Sequence, residues 1–195
     1  MAGYRFLVTD LDGTLVTLDI DWDELREKVR KIIKTDHPLK PLGPSIVETT
    51  RGNEDLRRKA FELVEREEVR AALGASPDPE LKEMLSRLRK RGVKIALVTL
   101  QSLKPATITL KRLGIHHLFE FLITREYSLS RREQLSLAMD LLKANPRETV
   151  FAGDSSWDVM AGKELGCLTV VVGRNIEGAD LYVERFVELE KLFSD

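Results

Sequence analysis

Apolar residues fall along the chain in two rhythms. Short, nearly continuous apolar runs rich in strand formers predict buried strands at Tyr4–Thr9, Val93–Thr99, Phe119–Ile123, Thr149–Ala152 and Leu168–Val172. Between them, apolar positions recur at helical spacing. Leu81, Met84, Leu85 and Leu88 form one stripe, opened by Asp78 as cap with Pro79 at the first position and closed by Gly92. A helix over about Pro105–Leu113 is stopped by Gly114. Another, with Leu135, Ala138, Met139 and Leu142 on its buried face, opens on the capping-box pair Ser130 and Glu133. A helix running to Leu165 follows the fourth strand, and a last one holds Phe186, Leu189 and Phe193.

Strands alternating with helices imply an α/β fold, a doubly wound parallel sheet covered on both faces. The alternation is interrupted once. After the first strand come two helical stripes, Leu25, Val29, Ile32 and Ile33, then Leu56, Ala60, Leu63 and Val64. The segment His37–Arg51 between them carries Pro38, Pro41, Gly43 and Pro44 and reads as a loop. The expected organisation is a core from residues 1–15 and 77–195, with a helical insert over 16–76. No repeat and no low-complexity segment breaks this scheme.

Composition narrows the function classes. The 195 residues carry a formal net charge of −1, with 32% charged. Such a balance creates no global field for nucleic acid or an anionic membrane. The single cysteine, Cys167, excludes an internal disulfide framework and a multi-cysteine metal site. No charged-then-apolar leader precedes the first strand, and no apolar run is long enough to span a bilayer. A soluble cytoplasmic protein is expected, with neither nucleic acid nor membrane as partner. Oligomeric state is not legible.

In an open parallel sheet, ligands bind beyond the carboxyl ends of the strands. Three polar clusters stand there. Asp10 and Asp12 follow the first strand, Thr99 ends the second, and Asp154-Ser155-Ser156-Trp157-Asp158 follows the fourth. A lone Asp-x-Asp is usually a turn, and Asp154-Ser155 alone could be a helix cap. Acidic clusters ending two buried strands of one alternating domain are harder to explain that way. Several oxygen ligands converging on one point suit Mg²⁺, which would screen aspartate against a phosphate dianion.

The segment Asp10-Leu11-Asp12-Gly13-Thr14-Leu15 resembles the signature of the haloacid dehalogenase superfamily, and Gly153-Asp154-Ser155-Ser156-Trp157-Asp158 resembles its distal acidic motif. Their order and spacing fit, as does Ala179-Asp180-Leu181-Tyr182-Val183 as a final short strand. The resemblance covers nearly the whole chain. It implies a Rossmann-like core, with the insert as a cap, in a capped phosphatase similar to the phosphoglycolate phosphatases. It implies Asp10 as nucleophile carrying the phosphoryl group, and Asp12 as the acid and then the base. It also implies Mg²⁺ held by Asp10, the Asp12 carbonyl and Asp154 with support from Asp158, and Thr99 donating to the phosphoryl group. An acid at position 12 favours phosphoryl chemistry over dehalogenation, because a halide needs no proton. The expected substrate is a small phosphorylated metabolite.

Two departures stand out. The superfamily's usual Lys would fall near Leu129, where there is none. The nearest cations are Arg131 and Arg132, in the first turn after Ser130, with Lys104 a third. Either arginine can bind phosphate oxygens; each can equally be a solvated surface residue. Relatives often carry Asn after the Ser or Thr of the second strand, whereas Thr99 is followed by Leu100, leaving Gln101 or Ser102 as donors. A phosphomutase, or a weakly active relative that binds phosphorylated metabolites or a partner, are the alternatives. Trp22 and Trp157 read as packing residues.

Overall fold

The computed structural model describes residues 3–193. Six strands form one sheet: β1 (Phe6–Thr9), β2 (Lys94–Val98), β3 (Phe121–Ile123), β4 (Thr149–Gly153), β5 (Leu168–Val172) and β6 (Leu181–Val183). Their spatial order is β3-β2-β1-β4-β5-β6, and every pairing is parallel. Alternation along the buried strands sends neighbouring side chains to opposite layers. Leu7 of β1 and Val150 and Ala152 of β4 face the layer built by α4 (Pro79–Lys90), α5 (Leu103–Arg112) and the segment Phe186–Phe193. Val8 and Phe151 face the layer built by α6 (Arg131–Leu142) and α7 (Ser156–Leu165). Both faces are therefore dry, as the continuous apolar runs require. No helix among the described residues is long and apolar enough to cross a membrane.

Between β1 and α4 lie α1 (Trp22–Ile33), α2 (Leu42–Thr49) and α3 (Glu54–Gly74). They pack on a core of their own, which includes Leu25, Val29, Leu39, Ile46, Ala60 and Val64. The helix α2 corrects the loop expected over His37–Arg51. Pro41 stands at its N-cap and Pro44 in its first turn, where a missing N–H costs no helical hydrogen bond. Ile46, fully buried in the insert core, anchors it. The last segment is also corrected. Phe186–Phe193 is 3₁₀ rather than α-helical, and Phe186, Leu189 and Leu192 recur every third residue, the period that a 3₁₀ turn stacks on one face.

Candidate active site

The order of strands creates one switch point. From β1 the chain crosses outward to β2 and β3, then returns to place β4 on the other side of β1. At such a point the two halves of the sheet diverge and leave a crevice beyond the strand ends. Thr9 lies in register with Leu97 of β2 and Ala152 of β4. The residues just past these, Asp10, Thr99 and Asp154, therefore gather in that crevice. The Asp10 N–H continues the ladder by donating to the Ala152 carbonyl at 2.9 Å.

Two glycines let the carboxylates approach. Gly13 has φ of +81°, and a Cβ there would stand 2.4 Å from Asp154 Oδ2. A Cβ on Gly153 would stand 2.4 Å from Asp158 Cγ. Neither position admits a side chain without moving an acid.

Each acid is held differently. Asp12 accepts the Leu18 N–H at 2.8 Å on one oxygen and the Trp22 indole N–H at 3.1 Å on the other. Trp22, expected to be packing, thus reaches from the start of α1 to the site. Asp158 is at N3 of α7 and forms a reciprocal capping box with Ser155. Its Oδ2 accepts the backbone N–H groups of Asp154 (3.2 Å) and Ser155 (3.0 Å) and the Ser155 hydroxyl (2.5 Å). The box expected at Ser130 is only half made: Ser130 accepts from the Glu133 N–H, while the Glu133 carboxylate takes the Ser128 hydroxyl.

The first residue of α6 joins these parts. Arg131 donates from Nη2 to Asp10 Oδ1 at 2.7 Å, places Nε 2.7 Å from Asp158 Oδ1, and donates from Nη1 to Gln134 Oε1 at 3.0 Å. Gln134 in turn donates to the Thr99 carbonyl at 2.8 Å. Arg132 turns outward and pairs with Glu164 on the surface. Lys104 is exposed and does not line the crevice. Thr99 is buried at the crevice wall, and its hydroxyl accepts the Gln101 N–H at 3.2 Å. Ser102 is engaged elsewhere, donating to Glu65 of α3 at 2.7 Å.

The electrostatics are those of a crowded acidic site. Burial pushes the Asp10 carboxyl upward, the Arg131 guanidinium opposes this, and the charges of Asp158 and Asp154 push it further up. Asp12 is raised by burial, against the Leu18 and Trp22 hydrogen bonds. Asp154 is raised by burial, against a surface-exposed Arg174 that donates to it at 2.6 Å. For Arg131, burial works against its charge, but Asp10 and Asp158 more than offset that.

Among the described residues no three His, Cys, Asp or Glu side chains are gathered as a ready-made metal cage. Asp158 Oδ2 takes three donors of the protein and its Oδ1 stands against the Arg131 guanidinium, and the Asp12 carboxylate faces Leu18 and Trp22. What remains toward a cation is the pair Asp10 and Asp154, which line the same crevice. These are hard oxygen donors, and the mutual repulsion of the carboxylates is what a dication relieves. That set fits Mg²⁺ completed by water.

The decisive comparison is with protein families: the sequence model of the haloacid dehalogenase-like hydrolases matches residues 4–166. The chain belongs to the haloacid dehalogenase-like hydrolase family. Among its curated family relatives is the pyrophosphatase PpaX of Halalkalibacterium halodurans, 36% identical over 107 residues, which are 53% of this chain and 49% of that protein. The match therefore spans about half of that relative's length. The PpaX of Anoxybacillus flavithermus is 26% identical over 89% of this chain and 86% of its own. Two solved structures share the fold. A haloacid dehalogenase-like hydrolase of Bacteroides fragilis has a TM-score of 0.74 at 19% identity, covering 95% of this chain and 99% of its own. A predicted phosphoglycolate phosphatase of Haemophilus somnus has a TM-score of 0.72 at 18% identity over the full length of both.

Arg174 and the pair Arg125–Glu68 escaped the sequence reading altogether. Arg174 lies two residues past the end of β5, so the strand-end rule that selects Asp154 also points to it. The pair Arg125–Glu68 joins the loop after β3 to α3 at 2.8 and 2.9 Å, with the guanidinium over the Phe61 ring. No local pattern announces a contact across 57 residues.

Proposed function

We propose that this hydrolase is a Mg²⁺-dependent phosphatase acting on a small phosphomonoester through a phosphoaspartyl intermediate. The observation that supports this best is Asp10, buried at the switch point and ion-paired to Arg131, with Asp12 two residues on and held by its own donors. Asp10 Oδ attacks phosphorus, the ester oxygen leaves, and the phosphoryl group passes to the carboxylate. Asp12 gives its proton to the leaving oxygen, then takes one from the water that cleaves the phosphoaspartate. Burial favours the protonated form needed first. Arg131 orients Asp10 and meets the phosphoryl oxygens, and Thr99 lies beside them. Asp10, Asp154 and the Asp12 carbonyl would hold Mg²⁺, which supplies charge neutralisation on the phosphoryl oxygens. The helices α1–α3 act as a cap that excludes water from the crevice. The names of the relatives, pyrophosphatase and phosphoglycolate phosphatase, agree with phosphoryl transfer to water.

Hydrolysis of 4-nitrophenyl phosphate should require Mg²⁺ and stop in excess chelator. Titration calorimetry should find a Mg²⁺ site that Asp154→Asn weakens. Full activity in chelator would contradict the metal assignment.

Trp22→Phe should keep the ring and lose the donor to Asp12. We expect turnover to fall by about tenfold, the weight of one hydrogen bond, with KM little changed. The loss should be greater for an alkyl ester, whose leaving oxygen needs a proton, than for 4-nitrophenyl phosphate. Equal losses on both would show that Trp22 serves packing alone.

A further inference from the structure

The crevice opens into a cavity of about 490 Å³ between the sheet and the helical insert. Its lining on the insert side includes the apolar residues Ile20, Leu42, Ile46, Phe61 and Val64. Among the described residues its basic lining is four arginines, and each is already matched to a carboxylate: Arg26 with Asp23, Arg125 with Glu68, Arg131 with Asp10 and Asp158, and Arg174 with Asp154. Beyond the phosphoryl position, a second phosphate would find no uncommitted cation among the described residues and would have to strip its water against aliphatic side chains.

A side-chain amide in the lining is unmatched. Gln101 is 3% exposed, lines the cavity, and neither the oxygen nor the nitrogen of its amide has a partner among the described residues. Buried amides are almost always paired. Its carbonyl accepts the Arg125 N–H at 3.1 Å, and the Arg125 side chain lies over Phe61 and pairs with Glu68, so the Gln101 backbone is tied to a residue that contacts the insert.

We propose that the leaving group of the substrate is an uncharged, largely apolar organic alcohol or phenol carrying one hydrogen-bonding group, and that Gln101 is the residue that reads that group. This rests on the phosphatase reading above. It separates the chain from its pyrophosphatase-named relatives: inorganic pyrophosphate is a poor substrate here.

The test compares inorganic pyrophosphate, 4-isopropylphenyl phosphate and 4-acetamidophenyl phosphate, which differ in charge and in one polar group. Turnover is measured in the wild type, Gln101→Met and Leu42→Lys, and calorimetric binding is measured in the same proteins carrying Asp10→Asn. Thermal melting checks each fold. In the wild type, both aryl esters should exceed pyrophosphate in kcat/KM by about tenfold or more, the acetamido ester leading. Gln101→Met should cost the acetamido ester about tenfold and leave the isopropyl ester within about twofold. Leu42→Lys, at the partly exposed first position of α2, adds an unmatched cation and should raise pyrophosphate while lowering the isopropyl ester. Pyrophosphate as the best ligand, or equal losses on both aryl esters in Gln101→Met, would overturn the proposal. Binding in the expected order without turnover of any of the three would overturn the Asp10 chemistry and support the pocket assignment.

Discussion

Asp10→Asn should abolish turnover while leaving the fold intact. An amide cannot attack phosphorus as a carboxylate does, so the covalent route is lost and no other side chain in the crevice replaces it. Asp12 is turned toward Leu18 and Trp22, and Asp158 is committed to the start of α7 and to Arg131. Loss of the nucleophile in enzymes that work by covalent catalysis costs about 10⁴–10⁶ in rate, and a fall of that size is expected. Stability should not suffer. Burial and the neighbouring Asp154 and Asp158 charges disfavour ionised Asp10, so a neutral amide relieves repulsion even as it weakens the contact to Arg131. Steady-state hydrolysis with thermal melting checks both halves. A correctly folded Asp10→Asn within about a hundredfold of wild type would show that phosphorus is attacked by water rather than by Asp10.

How much of this was legible in the sequence follows from what kind of contact each feature makes. The strands were readable because a parallel strand buried on both faces must be apolar throughout, and Leu7 and Val8 show both faces dry. Family membership was readable because the loop after β1 has little freedom: Gly13 must be glycine for Asp154 to close on it. The helix α2 was hidden because prolines that break a helix inside its length are harmless in its first turn, and composition does not distinguish the two. The 3₁₀ segment was hidden because Phe186, Leu189 and Phe193 satisfy three- and four-residue spacings equally. Trp22 and Arg125 were hidden because their roles are contacts across the insert, over 10 and 57 residues, with no periodic trace. Gln101 was noticed only as a possible stand-in for a missing Asn. Its significance lies in what fails to surround it, which no sequence pattern records.

Arg131 and Arg132 could not be separated by sequence, since both follow the Ser130 cap, yet their substitutions should differ greatly. Adjacent helical positions point about 100° apart, and here Arg131 faces Asp10 while Arg132 pairs with Glu164 in solvent. Arg131→Ala removes the guanidinium that spans Asp10 and Asp158, and leaves two buried acids without that counter-charge. Breaking a buried pair by deleting one partner costs about 3–5 kcal/mol. Protonation of Asp10, already favoured by burial, will limit that cost and at the same time disarm the nucleophile. Loss of a charged donor to the transferring group should lower turnover by about 10²–10³-fold and weaken inhibition by inorganic phosphate. Arg131→Lys keeps a point charge but cannot reach both carboxylates with a planar fork, so its activity should fall between wild type and the alanine variant. Arg132→Ala removes an exposed pair and should leave turnover unchanged and stability within about 0.5 kcal/mol. Kinetics with phosphate inhibition, alongside melting of all three variants, decides the matter. If Arg132→Ala proved the damaging change, or if Arg131→Ala lost stability without losing phosphate affinity, Arg131 would be a structural bridge and the phosphoryl group would be met by another residue of the crevice.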